Sequence, residues 1–324
     1  MMITKLLMRA PTVRVLVAGD CMLDAYVTGD ATRISPEAPV AVVEVSERKF
    51  VLGGAANVAA NACGMGAKVK LAGVTGIDDA SSRMRAELTK LEIGIEALIE
   101  DESRVTTTKT RVTAGGQQIV RFDEENRSPL SARMASQLSR KCEQELEDAD
   151  VLVISDYAKG VAPESFCRWM IERAAKRGMP VVVDPKSTDL GRYRGARVVT
   201  PNLREAATAA GETIRTNDEL SRAAEKLLRE IAPSALLITR GGDGMSLFET
   251  GHREVHLPAM THEVADVTGA GDTVVATLAV ALGAGFDLRE AAEMANLAAG
   301  VAVGHHGTWA VKREELIEAS RQRG

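Results

Sequence analysis

The sequence predicts an α/β fold: a mostly parallel sheet with crossover helices and a small β flap inserted into it. Two observations point there. Short runs rich in Val and Ile alternate with longer segments of helical periodicity, the signature of parallel strands joined through helices. Two segments, 26–50 and 103–123, break that rhythm: they are rich in Val and Thr and alternate polar with apolar residues, as antiparallel strands outside the parallel sheet do.

Taken in order, the apolar runs predict buried strands over 13–18, 69–74, 151–155, 181–184, 197–200 and 235–239. Helical patterns fill 131–147, 163–177 and 217–231. Ser131 suits an N-cap and Pro163 a first helical turn. Ala114-Gly115-Gly116-Gln117 supplies a tight reversal within the second flap segment. Gly241-Gly242-Asp243-Gly244 supplies another, followed by a hairpin over 245–249 and 254–257. Two more helices are expected at about 270–282 and 288–303. No Gly-, Ser- or Pro-rich linker, repeat or low-complexity tract interrupts the chain, so the flap is expected as an insertion in a single domain over 1–324. Such a flap covers a site or pairs with a second copy.

Composition narrows the function. Aromatic residues make up only 3%, which disfavours a nucleic-acid surface of stacked rings. A net charge of −5 disfavours a general phosphate-backbone binder, so an anionic ligand must be held by a local site. Cys21, Cys63, Cys142 and Cys167 form no Cys-x-x-Cys pair and lie near no suitably spaced histidine, which predicts neither a zinc site nor a redox motif. His305 and His306 are adjacent and are expected to point apart at the surface. Residues 1–11 lack a long apolar core and a cleavage site, and no long uncharged apolar run follows. The expectation is a cytoplasmic protein with no membrane partner.

Two glycine clusters carry the chemistry. Gly269-Ala270-Gly271-Asp272 opens a helix; small residues there expose successive backbone N–H groups at the positive end of the helix dipole, an anion site. A carboxylate at Asp272 points into the same space, where it either caps the helix or takes a proton from a hydroxyl while the N–H groups steady a phosphoryl group. Gly53-Gly54-Ala55-Ala56-Asn57 opens another helix; the glycines permit close approach of a ligand, and Asn57 donates and accepts hydrogen bonds, whether to sugar hydroxyls or locally.

These two stretches, 53–59 with Gly66 and Gly76 beyond it and 266–272, resemble the two signatures of the ribokinase-like (phosphofructokinase-B) carbohydrate kinase family, in the family's order and over essentially the whole chain. The one departure is Thr277, where the family usually has Gly or Ala. The resemblance implies a doubly wound α/β domain with a β-sheet lid and an ATP-dependent sugar kinase. It implies Asp272 as general base and Gly269, Ala270 and Gly271 as the anion hole. Asn202-Leu203-Arg204-Glu205 resembles the family's Asn-x-x-Glu motif serving the phosphates and Mg²⁺, and that spacing puts Asn202 and Glu205 on one helical face. No Walker sequence occurs. Thr239 with Gly241, Gly242 and Gly244 resembles the nucleotide-edge loop, and Asn296 stands where the family contacts adenine. Asp266 and Thr268 resemble positions at which some members bind a monovalent cation such as K⁺.

Asp24 resembles the family residue that grips sugar hydroxyls. The stretches 33–40, 155–160 and 184–186 are similar to the heptose 7-phosphate kinases of lipopolysaccharide and ADP-heptose biosynthesis, which implies phosphorylation of an anomeric hydroxyl to a 1,7-bisphosphate. A substrate that already carries phosphate needs further cations; Lys109, Arg111 and Arg121 on the flap, with Arg104 before them, are candidates, and Lys186 is a candidate clamp on ATP phosphate. The same charges also suit an edge strand kept from aggregating. Ending at Gly324, the chain is expected to be the monofunctional kinase, a homodimer through the lid. Its rivals are a kinase for another sugar, a silent sugar or nucleotide sensor, and an oxidoreductase that the missing Gly-x-Gly-x-x-Gly disfavours.

Overall fold

The computed structural model describes residues 2–231, 235–260 and 264–322. Within them the strands form one sheet of nine and one of four. In chain order they are β1 (Arg14–Gly19), β2 (Cys21–Ile34), β3 (Ala41–Gly54), β4 (Lys68–Thr75), β5 (Gly94–Glu100), β6 (Thr107–Ala114), β7 (Gln117–Glu124), β8 (Val151–Ser155), β9 (Val181–Asp184), β10 (Val198–Val199), β11 (Ala235–Thr239), β12 (Met245–Glu249) and β13 (Val255–Leu257). The α-helices are α1 (Met2–Arg9), α2 (Ala55–Gly64), α3 (Asp79–Lys90), α4 (Ala132–Leu146), α5 (Glu164–Lys176), α6 (Leu203–Ala210), α7 (Asn217–Ile231), α8 (Ala270–Gly283), α9 (Leu288–Ala302) and α10 (Arg313–Arg321).

The large sheet runs β13-β12-β11-β10-β9-β8-β1-β4-β5, parallel from β5 to β11 and antiparallel only at β12 and β13. Side chains alternate across each strand, so one sheet serves two cores. Val15, Val17, Val151 and Val153 pack under α2, α8 and α9, while Leu16, Ala18, Leu152 and Ile154 pack under α4, α5 and α7. From β1 the chain builds β4 and β5 to one side, then returns to β8 and builds outward on the other. That reversal places a crevice at the carboxyl ends of β1 and β8, where open α/β sheets bind ligands.

The lid sheet runs β3-β2-β6-β7. Its first pair, β2 and β3, starts earlier and reaches further than the expected 26–50, because both strands rise directly out of the body; its second pair begins at Thr107 rather than 103 and ends at Glu124. The pairing also differs in one respect: β2–β3 and β6–β7 are antiparallel, but the central pair β2–β6 is parallel. Three further departures are local. Strand β10 keeps only two of the four expected residues, β5 was not anticipated, and Pro163 is the N-cap residue of α5 rather than part of its first turn. Ser131 caps α4 as expected, accepting from the Met134 N–H. His306 is exposed, but His305 stacks on the Trp309 ring at 4.1 Å and pairs with Glu315. No helix among the described residues is long and apolar enough to cross a membrane.

Candidate active site

Helix α8 is apolar on every side and buried from Asp272 to Ala281, so the sheet and its neighbours enclose it completely. Its first turn carries one carboxylate into that environment. Gly269, the N-cap residue, has φ of 80°, a left-handed conformation that a side chain would strain, and an added Cβ there would meet the Asn57 amide at 3.0 Å. Gly271 faces open space. The first turn therefore opens onto a cleft with no side chain at Gly271 in the way, although the Ala270 N–H turns back to the Val267 carbonyl at 3.3 Å.

Asp272 is only 4% exposed, and both its oxygens are held. Oδ2 accepts the Asn57 amide at 2.7 Å, and Oδ1 accepts the Tyr157 hydroxyl at 2.6 Å. Burial pushes its carboxyl up to about 7, the charge of Asp184 adds to that, and the Tyr157 and Asn57 hydrogen bonds and Lys186 oppose it. A base with that ionisation is poised for neutral pH. Asn57 is held in turn: Asn61 donates to its Oδ1 at 3.1 Å, and the Thr273 hydroxyl donates to Asn61, so α2 and α8 share one polar network.

Beside Asp272 lies a second carboxylate, in the 184–186 stretch, to which the sequence analysis gave no role. Asp184, buried at the end of β9, pairs with Lys186 at 3.1 Å, and Lys186 reaches Glu205 at 3.0 Å. Burial lowers the tendency of Lys186 to stay charged, but Asp184 and Glu205 outweigh it and hold the ammonium above its ordinary range. Asn202 and Glu205 do share one face, and they cap α6 reciprocally: the Asn202 side-chain Oδ1 accepts the Glu205 N–H at 2.9 Å, and the Glu205 carboxylate accepts the Asn202 N–H at 2.8 Å.

A cleft of about 780 Å³ joins these groups. Lys186, Asn202, Glu205, Thr239, Gly241, Gly242, Gly244 and Asn296 all line it, together with Gly269, Ala270, Gly271 and Asp272. The Asn296 amide is fixed on the Pro258 carbonyl at 2.8 Å. Its size matches small-molecule and cofactor sites. Asp266 turns the approach to the cleft: Oδ1 accepts the Thr268 N–H and hydroxyl, and Oδ2 accepts the Gly307 N–H at 3.0 Å. Burial opposes ionisation there, yet those bonds hold the carboxyl below its usual range.

The lid does not line this cleft; it stands beyond Tyr157, on the other side of Asp272. Register places Asp24, Lys109 and Asp123 side by side across β2, β6 and β7, with Tyr26, Arg111 and Arg121 in the same alignment two residues on. All six share the inner face. Asp24 is 5% exposed; it accepts from Arg111 at 2.6 Å and from the Thr308 hydroxyl at 3.3 Å. An added Cβ at Gly53 would stand 2.6 Å from Asp24 Oδ2, so only glycine leaves that carboxylate its place. Lys109 turns over the Tyr157 ring at 5.5 Å, and burial lowers its pKa. Arg121 is more exposed and pairs with Asp123 on its own strand at 2.6 Å. Arg104 sits apart, bound to the carbonyls of Asn126, Ser128 and Lys159, where it ties the lid stem to the body.

Sequence reasoning singled out the glycine-rich start of α8, the Asn202–Glu205 motif and Asp24; Tyr157 and Asp184 fell within the stretches 155–160 and 184–186 that it marked by resemblance, but it gave neither residue a role. Both stand at the carboxyl ends of neighbouring parallel strands beside the switch point, and that rule is the signal that finds them.

The pattern that defines the pfkB family carbohydrate kinases matches residues 13–314. The chain is 46% identical over 315 residues to the bifunctional protein HldE of Geotalea uraniireducens (strain Rf4), covering 97% of this chain and 64% of that protein. To the bifunctional protein HldE of Caulobacter vibrioides (strain ATCC 19089 / CIP 103742 / CB 15) it is 47% identical over 305 residues, covering 93% and 62%. The chain thus spans less than two thirds of the length of these curated relatives. Among solved structures it is similar to Arabidopsis thaliana ribokinase complexed with ribose and ATP (TM-score 0.75, 20% identity, 96% of this chain and 98% of that one). It is also similar to phosphofructokinase-2 from Escherichia coli in complex with potassium (TM-score 0.78, 18% identity, 96% and 98%). These two likenesses show the fold.

Proposed function

The chain belongs to the pfkB family of carbohydrate kinases, and on that premise we propose that it transfers the γ-phosphoryl group of ATP to the anomeric oxygen of D-glycero-β-D-manno-heptose 7-phosphate. The product is the 1,7-bisphosphate, a step toward ADP-heptose for lipopolysaccharide. The observation that carries the kinase reading is Asp272: a buried carboxylate, ionising near neutrality, at the open N-terminus of α8 in a nucleotide-sized cleft. The relatives named HldE and the cations on the inner lid face support the phosphorylated heptose.

In this reading the sugar lies between Asp24, Gly53 and Gly54, with its phosphate toward Lys109 and Arg121. Asp272 takes the proton of the anomeric hydroxyl as that oxygen attacks the γ-phosphorus in line. Asn57 and Tyr157 keep the carboxylate aimed, and the N–H groups at 269–271 with Lys186 neutralise charge developing on the transferred group. ATP lies along Thr239, Gly241, Gly242 and Gly244, with Asn202 toward its phosphates and Asn296 toward its base. Magnesium, when bound, offsets phosphate charge. No cluster of three or more acidic, His or Cys side chains able to hold a metal exists among the described residues, which suits an ion held chiefly by phosphate and water with Glu205 reached through water. The ionised Asp266 with the Thr268 hydroxyl suits a hard monovalent cation bracing the approach to the anion nest.

The outer lid face explains a homodimer in the same terms. Val120 and Phe122, on the side opposite Lys109 and Arg111, are 48% and 49% exposed, an apolar surface that a second lid would cover. Sedimentation of a Phe122→Ser variant as monomer against a dimeric parent is the expected result.

A panel assayed with ATP and Mg²⁺ tests the substrate. The heptose 7-phosphate should exceed fructose 6-phosphate and ribose in kcat/KM by about tenfold or more. Equal or faster turnover of either alternative rejects the heptose and favours a kinase for that sugar.

A further inference from the structure

The residue pressed against the base is neither apolar nor charged. We propose that Tyr157 is a positioning residue of the transfer reaction: its hydroxyl fixes the orientation of the Asp272 carboxylate and keeps it in the charged form that accepts the substrate proton. The proposal rests on Asp272 acting as the base.

The chain goes to some length to put this ring where it is. Immediately after β8 the backbone turns through Ala158, whose φ of 56° is left-handed and strained for a residue with a Cβ. Two buried carboxylates hold that turn. Asp20, 1% exposed, accepts the N–H groups of Tyr157, Lys159 and Val161 at 2.8, 3.1 and 3.3 Å. Asp156, 2% exposed, accepts the Ala158 N–H at 2.9 Å and the Tyr193 hydroxyl at 2.6 Å, with Arg192 at 3.3 Å. Strain of this kind persists only where surrounding structure over-determines it, and it gathers at functional sites. What it delivers here is the Tyr157 ring, with the Lys186 ammonium 5.0 Å and the Lys109 ammonium 5.5 Å from its centroid, and its hydroxyl 2.6 Å from Asp272.

The groups facing Asp272 come from every wall of the site: Asn57 from α2, Tyr157 from the turn after β8, Asp184 from β9, Lys186 just beyond it, and Lys109 from the lid through the Tyr157 ring. Asp184 and burial disfavour the carboxylate, and Lys186 favours it at longer range. Among the described residues, only Asn57 and Tyr157 donate side-chain hydrogen bonds to it directly. Tyr157 keeps its own proton throughout, since burial and the charges of Asp272 and Asp184 drive its phenol well above the ordinary range. The hydroxyl also comes within reach of Asp184, but its short 2.6 Å contact is to Asp272; it therefore acts as a donor there, and the substrate proton stays on Asp272.

The sign of the effect follows. A donor to the charged form lowers the pKa of a carboxyl, so removing the hydroxyl raises it. In Tyr157→Phe the acidic limb of the kcat/KM profile should move to higher pH by about one unit, with turnover largely recovered above it. The KM for ATP and the thermal midpoint should stay close to wild type. Replacing Tyr157 by 3,5-difluorotyrosine, a more acidic donor of nearly the same shape, should move the limb to lower pH and decides the matter if the phenylalanine variant does not fold. A midpoint unmoved in either folded variant overturns the proposal. Asp272→Asn run alongside separates the two ideas: near-wild-type turnover there rejects the base itself, whereas an inactive Asp272→Asn with an unmoved Tyr157 midpoint rejects the positioning role alone.

Discussion

The body around Asp272 and the lid beyond it, floor and roof of the site, are built on opposite principles. On the floor, Asp272, Asn57, Asn61, Thr273 and Tyr157 are tied in one buried network in which each Asp272 oxygen has a named donor. On the roof, cations stand side by side on an inner lid face; Arg121 answers only to its strand neighbour Asp123, and every residue of β7 is exposed. A buried network fixes geometry and shifts ionisation, because low dielectric magnifies each contact. The edge strand β7 holds its charges in exposed pairs, which solvent screening weakens. The difference assigns chemistry to the body and selectivity to the lid.

The largest expected effect tests the floor. Asp272→Asn should lower kcat by roughly 10²- to 10⁴-fold while ATP still binds in calorimetry, since the cleft beyond α8 is untouched. Next comes the seam between the two regions. Gly53→Ala pushes a methyl against Asp24 Oδ2 and should raise the sugar KM roughly tenfold or more, with the ATP KM near wild type. On the roof, Lys109→Gln should raise the KM for a phosphorylated sugar by about tenfold and leave an unphosphorylated analogue nearly unaffected, as loss of one charge-assisted contact does. If Lys109→Gln instead removed turnover as completely as Asp272→Asn, the division of labour would fail. The smallest change belongs to Arg121→Gln, about twofold in the same KM, because an exposed pair contributes little.

The two regions also differed in how much could be read from sequence. Strands β1, β8, β9 and β11 were legible because a doubly covered parallel strand is a continuous apolar run. Strand β5 was not: Gly-Ile-Glu-Ala-Leu-Ile-Glu at the sheet edge carries exposed Glu96 and Glu100 that mask the pattern. The anion nest at 269–272 was visible because its requirement, small residues before a helix, is local. The partners of Asp272 were not local. Asn57 lies 215 residues away and Tyr157 lies 115 away, and nothing near either residue says that it faces a carboxylate. Asn57 was expected to bond either to sugar hydroxyls or locally; the fold gives its amide to Asp272. The parallel β2–β6 pairing likewise depends on where β2 leaves the body, a tertiary fact.

The pH dependence of kcat/KM tests the central claim most directly. In the proposed role Asp272 acts only as a carboxylate, and burial, with Asp184, pushes its ionisation up to about 7. The rate should therefore rise about tenfold per unit as pH climbs toward 7 and level off above it, with that limb missing from the residual activity of Asp272→Asn. A wild-type profile that is flat from about pH 5.5 upward, where an ordinary carboxylate is already ionised, would contradict it.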